Sequence, residues 1–251
     1  MEETQLEEPK KLPESSKPEK PKLPDGIIWK GKKMKALTPS QIINKQRVIY
    51  EFTGKWAESF GNPERTARWF IKGPPYSGKS SFCFQLASYL TTFGRVAYNN
   101  LEEGDSVTVA NKIREHGLLE RDAHFLLIPG EPIVDFQKRM LRRQSPAFGI
   151  VDSVQHAGLN IKTYKAFADA LCNNRRGKSL VFINHWKNND LTLFIKHDCY
   201  IKIEVIGFIA HVESRYGGNK PFIIWEQGAK NYWGKKYNSV IAGRYWPGQK
   251  K

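Results

Sequence analysis

The run Gly73, Pro74, Pro75, Tyr76, Ser77, Gly78, Lys79 and Ser80, followed by Ser81, has the residue types and spacing of a loop that wraps phosphates. Two glycines allow the backbone to close on an anion, and N–H groups of the loop and of a following helix point at it. Lys79 would set a charge on the β- and γ-phosphates, and the Ser80 hydroxyl would ligate Mg²⁺. The ligand this predicts is ATP with Mg²⁺.

Three further segments carry groups that could act beside such a loop. Phe148–Val151 is an apolar run ending in Asp152, a carboxylate placed to hold Mg²⁺ through water. Val96–Asn100 leads into Glu102 and Glu103. A carboxylate there could orient or deprotonate an attacking water, and a plain solvated pair of acids is the alternative reading. Phe182–Asn184 ends at His185, which could sense the γ-phosphate, although a lone histidine at a strand end is usually structural.

The elements needed to position these groups are legible. Short apolar runs at Trp69–Ile71, Arg95–Tyr98, Phe125–Ile128, Phe148–Val151 and Leu180–Ile183 alternate with helical segments at Lys79–Phe93, Ser106–Gly117, Pro132–Gln144 and Thr163–Gly177. That alternation predicts an α/β fold, a mostly parallel sheet with helices on both faces. After Cys199 the texture changes, and Tyr200–Ile209, His211–Tyr216 and Phe222–Glu226 read as an antiparallel C-terminal extension. Tyr232 and Trp233 could pack on adenine or fill the core, and the core is the simpler role.

The first 25 residues are rich in Pro, Glu, Lys and Ser and are expected to be a disordered tail. Residues 26–63 read as a basic linker, with Lys30, Lys32, Lys33 and Lys35. A helix follows from Thr38-Pro39 through Ile42, Ile43 and Val48, and a second helical turn around Trp56 and Phe60. Residues 64–251 form the expected ATPase domain. Cys83, Cys172 and Cys199 stand far apart and suit small core residues in a reducing cytoplasm. No apolar run is long enough for a membrane helix, and the N-terminus has no secretory pattern. The net charge is +15. Residues 26–251 carry +17, from 35 basic and 18 acidic side chains, which suits a polyanionic partner.

In order along the chain, "VAYNNLEEG", "IREHGL", "IVDSVQ", "FINHWKNND", "FIKHDCYIKIE" and "ESRYGG" resemble the RecA-type ATPase core. They are most similar to the ATPase domain of the RadA/Sms recombination proteins, over Arg68 to Tyr216. The resemblance implies a RecA-like fold with Glu102 as the water-activating carboxylate and His185 in the sensor position. It also implies a homo-oligomer, a hexamer or filament with ATP between subunits, in which Arg215 reaches the neighbour's nucleotide. The chain departs from that family in lacking its zinc module and protease-like domain, which suggests a phage or mobile-element relative. Glu213 and Ser214 stand where the family motif has Lys and Asn; Lys220, Lys230, Lys235 or Lys236 could replace that lysine.

In this fold the segments His156–Lys165 and Trp186–His197 are expected to face a central channel. They offer Lys162, Lys165, Lys187 and Lys196 to phosphates, and Trp186 and Phe194 to bases. The run Asn173–Lys178, with Arg175 and Arg176, reads more simply as a basic cap on a helix C-terminus. The expected function is a DNA-dependent ATPase in recombination, repair or replication, with single-stranded DNA the preferred partner. The alternative is a regulatory DNA-binding ATPase switch, such as a helicase loader or transposition targeting protein. A small-molecule kinase would show an arginine-rich lid, which is not seen.

Overall fold

A computed structural model describes residues 36–173, 176–187 and 189–245. The expected tail, the early lysine cluster and Arg175 lie outside the described residues.

The five apolar runs form parallel strands: β1 (Arg68–Lys72), β2 (Val96–Asn100), β3 (Phe125–Ile128), β4 (Phe148–Asp152) and β5 (Ser179–Asn184). Strand β6 (Ile201–Ile206) pairs parallel with β1, while β7 (Ile209–Ser214) and β8 (Phe222–Ile223) add antiparallel strands at that edge. The order is β3-β2-β4-β5-β1-β6-β7-β8. Strands β2 and β5 are buried along their whole length, so both faces are covered and no alternation shows in their sequences. In β6, by contrast, Ile201, Ile203 and Val205 are buried while Lys202 and Glu204 are half-buried on the other face.

The helices are α1 (Pro39–Ile43), α2 (Gly54–Phe60), α3 (Lys79–Leu90), α4 (Val107–Glu115), α5 (Ile133–Leu141), α6 (Ile161–Cys172), α7 (Asp190–Asp198), α8 (Glu226–Trp233) and α9 (Tyr237–Ile241). One face of the sheet holds an aromatic core in which Trp56 and Phe60 of α2 and Phe82 of α3 meet Trp69 and Phe222. On the opposite face Phe136 of α5 and Tyr164 and Phe167 of α6 pack on Phe70, Leu180 and Phe182.

Four expectations need correction. The helix starting at Thr38-Pro39 is one turn long, held by reciprocal Thr38 and Gln41 capping bonds, and Ile42, Ile43 and Val48 stay exposed. With no surface to bury them, the cap alone sets its length. The strand read as Tyr200–Ile209 breaks after Ile206, because Gly207 and Phe208 both take positive φ and make a two-residue hairpin turn. The last strand ends at Ile223, and α8 follows. On α8 Tyr232 is exposed, so it is not a core residue, while Trp233 is half-buried and donates Nε1–H to Gly207 O at 3.1 Å.

A buried clasp ties both α6 and α7 to β1. Arg68 donates to Asp169 of α6 at 2.8 Å and to Asp198 of α7, and the Tyr164 hydroxyl donates to Asp198 at 2.8 Å. Burial works to raise the Asp198 carboxyl, but Arg68 and Tyr164 outweigh it and hold it below the usual carboxylate value. This contribution is present at neutral pH and is lost as pH falls through that depressed value. Arg68→Ala leaves Asp169 and Asp198 only the more exposed Lys165 as a cation and should lower unfolding free energy by about 3 kcal/mol, the low end for a broken buried pair. Urea denaturation measures it, and a loss under about 1 kcal/mol would show the clasp to be incidental.

Candidate nucleotide site

Parallel strands end on the same side of a sheet, so the order β2-β4-β5-β1 brings four strand ends together. The register sets Lys72 opposite Asn184, and Asp152 opposite Ile183 and Asn100. The loop Gly73–Gly78, Asp152, the Glu102 segment and His185 therefore share one end of the sheet.

The loop requires its glycines. A Cβ on Gly73 would lie 2.5 Å from Val205 O. Gly78 is the N-cap of α3 with φ +93°, and a Cβ there would meet the Phe208 ring at 2.8 Å. Phe208 N–H donates to Ser77 O at 2.9 Å, so the β6–β7 turn braces the loop from behind. The Ser77 hydroxyl donates to Pro74 O at 2.8 Å. Pro75 and Tyr76 are exposed at the loop's outer edge, Tyr76 with φ +58°.

Helix α3 begins at Lys79, so the N–H groups of its first turn, including those of Ser80 and Ser81, have no intrahelical partner. These amides and the dipole of a twelve-residue helix favour an anion at the loop mouth. The Lys79 ammonium donates to Gly73 O and Asn184 O, both at 3.4 Å. These are long bonds to neutral acceptors, and phosphate oxygens are stronger ones. The Ser81 hydroxyl is engaged from the side by Lys112 at 2.7 Å.

Asp152 accepts from the Tyr98 hydroxyl at 2.6 Å. Burial pushes its carboxyl up to about 6, against the Tyr98 bond and with added repulsion from Glu102. A buried carboxylate and the Ser80 hydroxyl are hard oxygen donors, the chemistry Mg²⁺ prefers.

Glu102 Oε2 lies 3.0 Å from His185 Nε2. Burial works upward on this carboxyl, but the His185 bond and charge, with His156 and Lys79, hold it below the usual glutamate value. Ser153 Oγ lies 2.9 Å from His156 Nδ1 and 3.4 Å from His185 Nε2. The result is a polar chain from the end of β4 to Glu102. One donor atom from each of Glu102, His156 and His185 falls within 4.8 Å of the other two. Sequence reading missed His156, which stands alone in a loop with no spacing to mark it. Glu103 turns away, accepting from the Thr108 hydroxyl at 2.6 Å.

Other expected residues lie elsewhere. Ser214 pairs with Ile201 at the start of β6, so Arg215 sits at the end of the sheet away from its own phosphate loop. It is exposed, with its guanidinium 5.2 Å from the Tyr200 ring centre. Glu213 lies 4.0 Å from Lys202. The expected channel segments are largely helical. Lys162 and Lys165 lie on the first turns of α6 and Lys196 on the last turn of α7. Lys165 is ion-paired with Asp169 at 3.3 Å and Asp198 at 3.7 Å, so its charge is already answered. Phe194 packs edge-on against Tyr164, whereas Lys187 and Trp186 are exposed, the latter with the Lys72 ammonium 4.8 Å from its ring.

The chain therefore has an α/β fold, a mostly parallel sheet with antiparallel C-terminal strands, and a phosphate-loop motif at the carboxyl ends of its parallel strands. Among solved structures, it is similar to the flagellar accessory protein FlaH from Methanocaldococcus jannaschii, at 18% identity and TM-score 0.45, over 62% of this chain and 84% of that one. No family model matches the chain, and no curated protein matches it. Among the described residues no helix is long and apolar enough to cross a membrane.

Proposed function

We propose that this chain is a Mg²⁺-dependent ATPase that acts on DNA, of the type resembled by RadA/Sms, with ATP bound between subunits of a homo-oligomer. The observation that carries the ATPase reading is the meeting of the Lys79 loop, Asp152 and the Glu102–His185 pair at one end of the sheet. Lys79 and the α3 amides bind and orient the phosphates. Glu102, kept ionised by its surroundings, takes the proton of a water attacking the γ-phosphate in line, and His185 fixes the carboxylate's position. Mg²⁺ on Ser80 and Asp152 would supply charge neutralisation at the β- and γ-oxygens.

The net charge of +17 on residues 26–251 supports a polyanionic partner. Glu213, engaged by Lys202, occupies the place of the family's second cation, which favours slow turnover and keeps the ATPase-switch reading as the second choice.

Glu102→Gln tests the chemistry. The amide keeps the size but cannot accept the water proton, so ATP should still bind while turnover falls by roughly 10²–10⁴. Nucleotide binding by fluorescence and phosphate release measure the two halves. The same fall in Glu103→Gln, with Glu102→Gln active, would move the role to Glu103.

A further inference from the structure

The end of the sheet opposite the phosphate loop collects positive charge from four separate stretches of sequence. Arg65 precedes β1, Arg95 precedes β2, Arg142 and Arg143 precede β4, and Lys178 precedes β5. Since β2, β4, β5 and β1 are consecutive neighbours in the sheet, Arg95, Lys178 and Arg65 stand near the entries of β2, β5 and β1, and the exposed Arg142 and Arg143 lie on the segment before β4 whose carbonyls Arg95, Arg176 and Lys178 reach, so the four stretches make one row. At about 4.8 Å between strands the row spans about 14 Å.

The hydrogen bonds found for this row run to neutral carbonyls. Arg65 Nε donates to Gly177 O at 3.0 Å, Arg95 donates to Gln144 O, and Lys178 Nζ donates to Ser145 O at 3.3 Å. Arg176, next in line, donates to Arg143 O at 2.7 Å. Among the described residues no carboxylate comes within ion-pair distance of Arg65, Arg95, Arg142, Arg143 or Lys178. The neighbouring Glu64 is taken by Arg47 at 3.5 Å. Elsewhere on this chain cations such as Arg68, Lys112, Arg139, Lys165 and Lys220 do have carboxylate partners. Burial, then the charges of Arg65, Arg176 and Arg95, push the Lys178 ammonium down to about 8. Backbone acceptors thus hold Arg65, Arg95 and Lys178 near one another against their mutual repulsion. Each guanidinium has five N–H donors, so one carbonyl bond leaves most of them for an anion.

We propose that this row, Arg65, Arg95, Arg142 and Arg143, with the buried Lys178 adding its charge from behind, is a binding surface for the phosphodiester backbone of DNA. The inference rests on the DNA-acting reading above, and it moves the main contact from the loops beside the nucleotide to the far end of the sheet. Five-residue strands separate the two ends by about 16 Å, so DNA there does not meet the phosphates of the same subunit's ATP. Along one strand of a duplex, phosphates follow every ~3.4 Å of axis, so a row of this width meets several of them.

The test compares the wild type with two variants of the full chain. One is the triple variant Arg95→Gln, Arg142→Gln, Arg143→Gln, and the other is Lys162→Gln with Lys187→Gln. Fluorescein-labelled single-stranded oligo(dT) and a duplex of equal length are titrated by anisotropy at several salt concentrations. Nucleotide binding and sedimentation serve as checks on fold and assembly. The triple variant should lose about tenfold or more in DNA affinity near 0.1 M salt, with its log–log salt slope reduced by about 2 on single strands. Replacing the same three arginines by lysine should restore the slope, and excess Mg-ATP should not displace DNA. Unchanged affinity in the triple variant, with the Lys162/Lys187 variant losing it instead, overturns this surface but leaves the DNA-acting reading standing. Wild-type protein that binds neither DNA overturns both. A triple variant that changes oligomeric state while binding DNA normally shows the row to be a protein contact and overturns the inference.

Discussion

Lys79→Ala should abolish ATP hydrolysis and weaken ATP binding by about 10- to 100-fold, the scale of a lost hydrogen bond to a charged group of about 1.5–3 kcal/mol. Lys79 is the one cation set within the loop itself, held between Gly73 and Asn184 by carbonyl bonds of 3.4 Å. Losing two such long bonds costs the fold little, so circular dichroism and the urea midpoint should barely move. Nucleotide titration and phosphate release then report on the site alone. Wild-type turnover in Lys79→Ala would remove the loop from the chemistry altogether.

Arg215→Ala should leave ATP binding by an isolated subunit nearly intact and cut turnover about 10³-fold or more, the scale of an arginine supplied in trans. The β6–β7 register puts Arg215 at the end of the sheet away from its own loop, so it cannot serve that loop in the same subunit without a large movement. Mixing gives the sharper result. Arg215→Ala subunits keep a sound phosphate loop, and Lys79→Ala subunits keep a sound arginine. Combined, they should regain part of the activity at mixed interfaces. No rescue despite demonstrated co-assembly, or full activity in a strict monomer, contradicts an arginine acting between subunits.

Strands β1 to β5 were legible because burial on both faces leaves short continuous apolar runs, and helices α3 to α6 because they fill the gaps between those runs. The helix ends ran long by two to five residues, since turn residues such as Gly117 and the Arg142–Gln144 segment continue the polar side of a helical pattern, whereas most strand runs fell one or two residues short at an end. The loop between β1 and α3 was legible as a strand-to-helix turn because its residues are contiguous. The turn at Gly207-Phe208 was not, because an apolar Phe208 at positive φ carries no turn signature. The start of α1 was legible from Thr38 and Pro39, but its end was not, since the helix stops at Ile43 and does not reach Val48. Residues joined only by strand order were hidden as well. His156 reaches Glu102 through Ser153 and His185, and the arginine row draws on four strands whose order in the sheet is not their order in the chain. The clasp of Arg68 with Asp169 and Asp198 has the same origin.

The central claim is that this loop and its neighbouring carboxylates turn over ATP in response to DNA. The direct measurement is steady-state phosphate release by the wild-type chain with Mg²⁺ and ATP, without DNA and with single- or double-stranded DNA, at several salt concentrations. The account predicts Mg²⁺-dependent release that DNA stimulates, single strands more than duplex, with a stimulation that fades as salt rises. No Mg²⁺-dependent release under any of these conditions, from protein that still binds nucleotide, would contradict it.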